Sequence, residues 1–354
     1  MMVQRHFKIL LGTLVIGVMI SFAMVTRPVL AEEPLELKVA TFTAQSITWT
    51  KGIARIFDLI EERSNGRIKF KWYYSGTLVP PRETLGALKA GVADIAVTGS
   101  TLHPGKTPLA TVTSLPLIQK WFYMTAMAGQ ELFLDVPETR DELAQYNVMY
   151  LSHAQNSSYG LWSSFPIHSI ADIKGKKIQA TGALAKLVEA LGGVTVTVVP
   201  TEIYTVLQRG TADGAMGNPT YGAGYKWNEV CKYYYKFPFG SVMAFTAINK
   251  DSWNKIPPDI QKMFRDYSDE AVRYAYEVYT EQGRKVLAEG QASGKMVITE
   301  PSAEDEAYVK KVAEEVVFKD WVDNMNQKGL PGQKVLDTYV KILAKWEARD
   351  PFKE

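Results

Sequence analysis

From Leu37 onward the apolar positions switch between a period of two and a period of three to four, the mark of strands alternating with helices. Leu37 to Thr41 reads as a short strand. Thr50 to Ser64 sets Ile53, Ile56, Phe57 and Ile60 on one helical face, Asn65-Gly66 stops that helix, and Arg67 to Tyr74 alternates as a second strand. Pro80-Pro81 opens a helix that ends at Gly91, and Ala93 to Thr98 is the next buried strand. The order then returns: a helix over Leu187 to Leu191, a stop at Gly192-Gly193, a strand over Val194 to Val199, and a helix capped by Thr201 that ends at Gly210. Such alternation packs helices on a mostly parallel sheet, so the fold class is α/β.

One stretch repeats almost letter for letter. Leu88-Lys89-Ala90-Gly91-Val92-Ala93-Asp94-Ile95-Ala96 matches Leu207-Gln208-Arg209-Gly210-Thr211-Ala212-Asp213-Gly214-Ala215, with Leu, Gly, Ala, Asp and Ala at the same offsets. A helix end, a Gly free to take the left-handed cap and an Asp leading into a strand explain each copy locally. Two unrelated helix–strand junctions would look alike too, but the surrounding helix–Gly–strand order repeats as well. The pattern predicts two similar lobes, with a ligand in the cleft between them.

The last third departs from this rhythm. Pro257-Pro258 starts a helical stretch reaching about Gly290, with Met263, Tyr267, Ala271, Tyr274 and Val278 in its apolar pattern. It is too long for one small lobe and is expected to brace both. A strand over Lys295 to Thr299 and helices near Ala303–Asn326 and Gly332–Trp346 complete the chain.

Composition narrows the class. The chain has 354 residues, 46% hydrophobic and 22% charged, which excludes a disordered or fibrous protein. Its 40 Lys and Arg against 38 Asp and Glu give no field favouring nucleic acid. The single cysteine, Cys231, excludes an internal disulfide framework. The N-terminus gives an address: Arg5 and Lys8 precede an uncharged, mostly apolar run from Ile9 to Val25, and Val29-Leu30-Ala31 offers a signal-peptidase site. A retained anchor is the competing reading, weakened by Gly12, Thr13, Gly17 and Ser21. Residues 1–31 are therefore expected to be a cleaved signal peptide, which leaves the mature protein free of the membrane in an exported compartment.

Catalytic signatures are missing. No Gly-rich phosphate loop, nucleophile elbow or His-Glu-x-x-His helix occurs. His103, His153 and His168 are scattered and read as packing or polar residues. Cys231 lies in an aromatic stretch without a neighbouring His and reads as buried and inert. The acidic runs at Glu61-Glu62, Glu304 to Glu306 and Glu314-Glu315 read as solvated helix faces. The expectation is a non-enzyme with no cofactor and no metal.

The combined motifs resemble the extracytoplasmic solute receptors of TRAP transporters, the DctP-like family. The resemblance runs through Leu37 to Thr41, Glu61 to Tyr74, Arg82-Glu83-Thr84-Leu85 with Leu88–Ala96, and Ile173-Lys174-Gly175-Lys176-Lys177-Ile178 with Leu191-Gly192-Gly193. Its most specific part is Glu202 to Gly214, followed by Asn218-Pro219 and Asn249 to Pro258. It implies a two-lobed, flytrap-like periplasmic binding protein with crossing hinge strands and a long helix spanning both lobes. Lobe I would comprise residues 32–155 plus about 246–285, and lobe II residues 156–245 plus about 286–354. The family's role implies a monomer that captures a small organic acid, or a related polar or aromatic solute, and delivers it to TRAP membrane permease subunits. A ligand sensor for a membrane signalling protein and an exported enzyme on the same scaffold are the alternatives.

The departures from the family pattern concern charge. Where these receptors usually carry a carboxylate-gripping Arg after Lys-Ile, this chain has Gln179. A second usual Arg, counted from Asn156, falls on Tyr159. Asn218 keeps the ligand-facing Asn before Pro. A buried carboxylate without a cation is costly, so Arg82, His153 and Lys176 are candidate replacements. Aromatics gather at Trp162, Phe165, Tyr204, Tyr221, Tyr225, Trp227 and Phe245, mostly for packing. The expected site residues are Gln179, Asn218, Tyr159, Tyr221, Trp49, Asn156 and Trp162.

Overall fold

The computed structural model describes residues 33–353. The signal peptide expected over residues 1–31 lies outside them. Along the chain run β1 (Leu35–Ala40), β2 (Ile68–Tyr73), β3 (Ile95–Gly99), β4 (Val148–Ala154), β5 (Gly160–Ser163), β6 (Lys177–Gln179), β7 (Val194–Val196), β8 (Gly214–Gly217), β9 (Tyr233–Tyr235), β10 (Ala244–Asn249) and β11 (Val297–Thr299). They form a five-stranded sheet ordered β2-β1-β3-β10-β4 and a six-stranded sheet ordered β11-β9-β5-β8-β6-β7.

Both sheets are mixed, where the sequence pattern predicts mostly parallel ones. β1 is parallel to β2 and β3, and β6 to β7 and β8, as helix-linked strands must be. β10 runs antiparallel to β3 and β4, and β5 antiparallel to β8 and β9. The cause is topological: β4 leads into β5 and β9 into β10, so β5 and β10 enter their sheets from the other sheet rather than through a helix.

Four helices place the rest: α1 (Thr48–Arg63), α2 (Phe122–Asp135), α3 (Ser268–Ala292) and α4 (Gly332–Glu347). The apolar face read in the sequence is the one buried, since Ile53, Ile56, Phe57 and Ile60 of α1 are all 2% exposed or less. Each such side chain contributes roughly 1.5–3 kcal/mol when removed from water. They pack with Leu37, Val39 and Ile95 beneath and with Ala271, Val272 and Ala275 of α3. Farther along α3, Val286 and Leu287 pack on the core of the second sheet, so this helix does brace both.

The helical stretch is not continuous, however. It breaks at Tyr267 between Pro258–Asp266 and α3, where Ser268 is anchored through its hydroxyl to Gln130 at 2.6 Å. The helix expected over Ala303–Asn326 likewise contains a π-helical turn at Ala313–Phe318. On α4, Val335, Tyr339 and Leu343 share one core with Leu109, Val112 and Leu132, with Ile170 of the turn Ile170–Ile173 and with Ile178 of the second sheet. Lys345 at its end pairs with Glu131 at 2.7 Å.

The sequence echo is a structural one. Gly91 and Gly210 both take left-handed conformations, with φ of 69° and 67°, which a side chain would strain. Downstream of each, Asp94 accepts the backbone N–H of Lys38 at 2.8 Å and Asp213 that of Lys177 at 2.8 Å. Each carboxylate thereby locks the helix–strand junction to the neighbouring parallel strand, β1 in one sheet and β6 in the other.

Candidate ligand-binding site

Residues 155–159 carry the chain from β4 to β5, and residues 236–243 carry it back from β9 to β10. The crossings are stitched together: Tyr159 N donates to Gly240 O at 2.7 Å, and Phe239 N to Tyr159 O at 3.1 Å. Beside them Gln155 Nε2 donates to Asn156 O at 2.6 Å and to Ser241 Oγ at 3.0 Å. This network fixes the backbone on either side of Asn156 and Tyr159, whose side chains turn into a cavity of about 100 Å³.

The cavity takes its walls from both sheets. Phe42, Trp49, Arg82 and Thr101 come from the first sheet's side, and Gln179, Thr181, Met216 and Tyr221 from the second's. Phe42 and Thr101 follow the carboxyl ends of β1 and β3, and Thr181 follows that of β6. Ligands bind at the carboxyl ends of parallel strands in open α/β sheets. Phe42, Thr101 and Thr181 were not singled out from the sequence, although their position just past a parallel strand was a usable signal.

Asn218, an expected site residue, is fully buried and does not line the cavity, but it sets the polar order of the site from behind the wall. It caps the helix Pro219–Gly224, and its Oδ1 accepts from Tyr221 N at 2.7 Å and from Thr220 Oγ1 at 2.8 Å. With its oxygen committed, its Nδ2 is the atom that faces Asn156 Oδ1, at 3.4 Å. That in turn directs Asn156 Nδ2 to the Tyr159 hydroxyl, a long contact of 3.5 Å. Because the Tyr159 oxygen accepts, its proton is free for a ligand. Burial pushes the Tyr159 and Tyr221 phenols well above their usual range, so both stay neutral donors.

Gln179, at the end of β6, is 5% exposed and lines the cavity. Its amide has no hydrogen-bond partner among the described residues, leaving a donor and an acceptor for a ligand. Trp49 contributes an apolar wall; its indole N–H is already used on Ala154 O at 3.1 Å. Tyr221 packs edge-on against Trp227 with ring centroids 5.5 Å apart.

Trp162 does not line the cavity, contrary to the sequence expectation. It is fully buried against Tyr234 and Trp227, and its N–H reaches the Asn218 carbonyl at 3.4 Å. A Cβ on Gly222 would lie 2.3 Å from its ring. Its role is to floor the site helix, because a ring of that size fills the core between β5 and the helix.

The three candidate replacement cations separate clearly. His153 is buried, and burial lowers its imidazole to about 4, so it is neutral at pH 7. Lys176 sits over the Phe165 ring at 4.8 Å and is not part of the cavity wall. Arg82 alone of the three lines the cavity. Cys231 is buried with its thiol pushed up to about 12, the state of an inert thiol. No group of His, Cys, Asp or Glu able to hold a metal occurs among the described residues. Nor, among them, is any helix long and apolar enough to cross a membrane. A larger groove of about 710 Å³ lies between Leu117–Trp121, Phe237 and the C-terminal helices, and none of the expected site residues lines it.

A family model described as bacterial extracellular solute-binding protein, family 7 (DctP), matches residues 39–323. The chain is 26% identical over 311 residues to the C4-dicarboxylate-binding periplasmic protein DctP of Rhodobacter capsulatus, covering 86% of this chain and 91% of that one. It is 28% identical over 249 residues to a monocarboxylate 2-oxoacid-binding periplasmic protein of Nostoc, over 66% of this chain and 65% of that relative. Among solved structures, a TRAP solute-binding protein of Rhodoferax ferrireducens with copurified benzoate is 26% identical with a TM-score of 0.79, covering 89% of this chain and 99% of that one.

Proposed function

The chain belongs to the bacterial extracellular solute-binding proteins of family 7, the DctP-like TRAP receptors, and from that premise we propose that its interlobe cavity captures a small organic acid with an apolar or aromatic body. The observation that carries this reading is the composition of the cavity wall. Neutral hydrogen-bonding groups at Gln179, Asn156 and Tyr159 face apolar and aromatic surfaces from Phe42, Trp49, Leu184 and Met216. That the similar proteins are named as solute-binding proteins supports a receptor that turns over no substrate. The relatives named for monocarboxylate 2-oxoacids and for copurified benzoate support a ligand of this kind.

The receptor works as an exported, periplasmic monomer that hands its solute to a membrane permease. A ligand held by groups from both lobes binds the closed form more tightly than the open one, and that difference drives closure. A thermal-shift screen of aromatic acids, 2-oxo acids, dicarboxylates and their amides tests the reading. A true ligand at a hundredfold excess over Kd adds about 2.7 kcal/mol of stability, and small-angle scattering at saturation shows a smaller radius of gyration. A screen in which no carboxylate raises the melting point rejects the reading.

A further inference from the structure

Resting on that reading, we propose that the ligand's carboxylate is bound by Arg82, from the first lobe across the cleft, and that Arg82 makes this receptor selective for anionic over neutral ligands. Among the described residues Arg82 is the one charged side chain in the cavity wall; the others are apolar, aromatic, hydroxyl or amide groups. No Asp or Glu among the described residues lines the cavity, so an anion entering it meets no repelling carboxylate from them.

Arg82 is also uncommitted. Elsewhere on the same lobe Arg63 forms a paired contact with Glu270 at 2.8 and 2.9 Å, and Arg67 and Arg273 are held by Asp259 and Asp269. Arg82 has no hydrogen-bond or ion-pair partner among the described residues. A guanidinium free of internal partners keeps its planar fork available for a bidentate carboxylate.

Its base is held firmly. Pro80 and Pro81 set the backbone entering the turn Pro81–Glu83, and the next residue, Thr84, shares its hydroxyl with Thr98 at 2.8 Å and with His103 Nε2 at 2.8 Å. His103 is kept neutral at pH 7 by burial and by the nearby charges of Lys106 and Arg82, which lower it to about 4. Arg82 is exposed and lies between the cavity and a surface depression that it lines with Glu83 and Lys106; of these three only Arg82 also lines the cavity.

The geometry has a functional consequence. Gln179, Asn156 and Tyr159 hold the ligand's neutral part from the crossover strand and the second sheet, while its charge is read from the first. The charged contact then spans the cleft and is made fully only when the lobes are closed. A cation on the lobe opposite Gln179 couples ligand charge to closure.

The test is calorimetric titration at pH 7 of benzoate and 3-hydroxyphenylacetate, each beside its primary amide, against the full mature protein and Arg82→Gln. The expected result is a ten- to hundredfold loss of acid affinity in the variant, with amide affinity unchanged within about twofold, so that the acid-to-amide ratio collapses. Arg82→Lys should keep part of the preference, and the double change Arg82→Gln with Gln179→Arg should restore it from the other side. An unchanged acid-to-amide ratio in Arg82→Gln overturns the proposal while leaving the organic-acid reading intact. If neither acid binds the unaltered protein and a wider carboxylate screen is also negative, the organic-acid reading itself falls, and this proposal with it.

Discussion

Asn218 presents its amide nitrogen to Asn156 Oδ1 at 3.4 Å because its own oxygen is held by the Tyr221 backbone N–H at 2.7 Å. A helix cap thus decides which way the amide of Asn156, which lines the cavity, points. Asn and Asp are about equally good caps, but Asn218 is fully buried, so the desolvated carboxylate of Asn218→Asp should lower the melting point although the cap is kept. The substitution would also remove the donor to Asn156, release the Asn156–Tyr159 orientation and add a negative charge beside an acid-binding cavity. Ligand affinity should fall by at least tenfold in calorimetry with the fold intact. Equal affinity in the two proteins would mean that this relay does not touch the ligand.

Gln179 offers both a donor and an acceptor to the cavity and has no internal partner to reclaim either. Gln179→Ala should weaken binding by about 0.5–1.5 kcal/mol for one neutral hydrogen bond. Gln179→Arg should raise affinity for simple carboxylates, adding a second cation to the wall. If neither substitution alters affinity or ligand rank order, Gln179 lies outside the working site.

Burial gives the stability a pH dependence with a definite sign. His103 and His153 titrate near 4 in the folded protein, against an ordinary value of 6.5. Between those values the unfolded chain binds more protons, so stability is full above about pH 6.5 and is lost as pH falls toward 4. Each imidazole accounts for about 2 kcal/mol between pH 7 and pH 5. Glu142 acts with the opposite sign: burial raises it to about 7, so its part of the stability falls as pH rises from 4.5. His153→Leu also removes two ring nitrogens that have no partner, and it should shrink the drop in melting point between pH 7 and pH 5. An undiminished drop would place the acid sensitivity elsewhere.

The site helix rests on an indole with no room to spare. A methyl group on Gly222 would come 2.3 Å from the Trp162 ring. Gly222→Ala should therefore destabilise the protein by about 1–3 kcal/mol and displace Asn218 and Tyr221, weakening the ligand as well. Denaturant melts and calorimetry on the same preparation check both effects. A variant with normal stability would show that the helix shifts freely.

Much of the scaffold was legible because its signals are local. The apolar face of α1, the stops at Gly91 and Gly210 and the Asp after each of them depend on a few consecutive residues, and the structure uses them as the pattern implies. Trp162 was misread because an aromatic residue at a motif position looks the same whether it faces a ligand or floors a helix. The directions of β5 and β10 were not legible because antiparallel entry follows from the sheet-to-sheet crossings, which leave no trace in local periodicity.

By itself, then, the sequence determined the helix–strand rhythm, the two echoing junctions and the neutral residues Tyr159 and Gln179, because each is written in residue type and spacing. Only the tertiary structure decided which cation remains at the cavity. Arg82, His153 and Lys176 are equivalent as letters, but His153 is buried and neutral, Lys176 lies over Phe165, and Arg82 alone joins the cavity wall. Burial and the company of distant residues set a side chain's charge and direction, and both come into being only when the two sheets close around the same space.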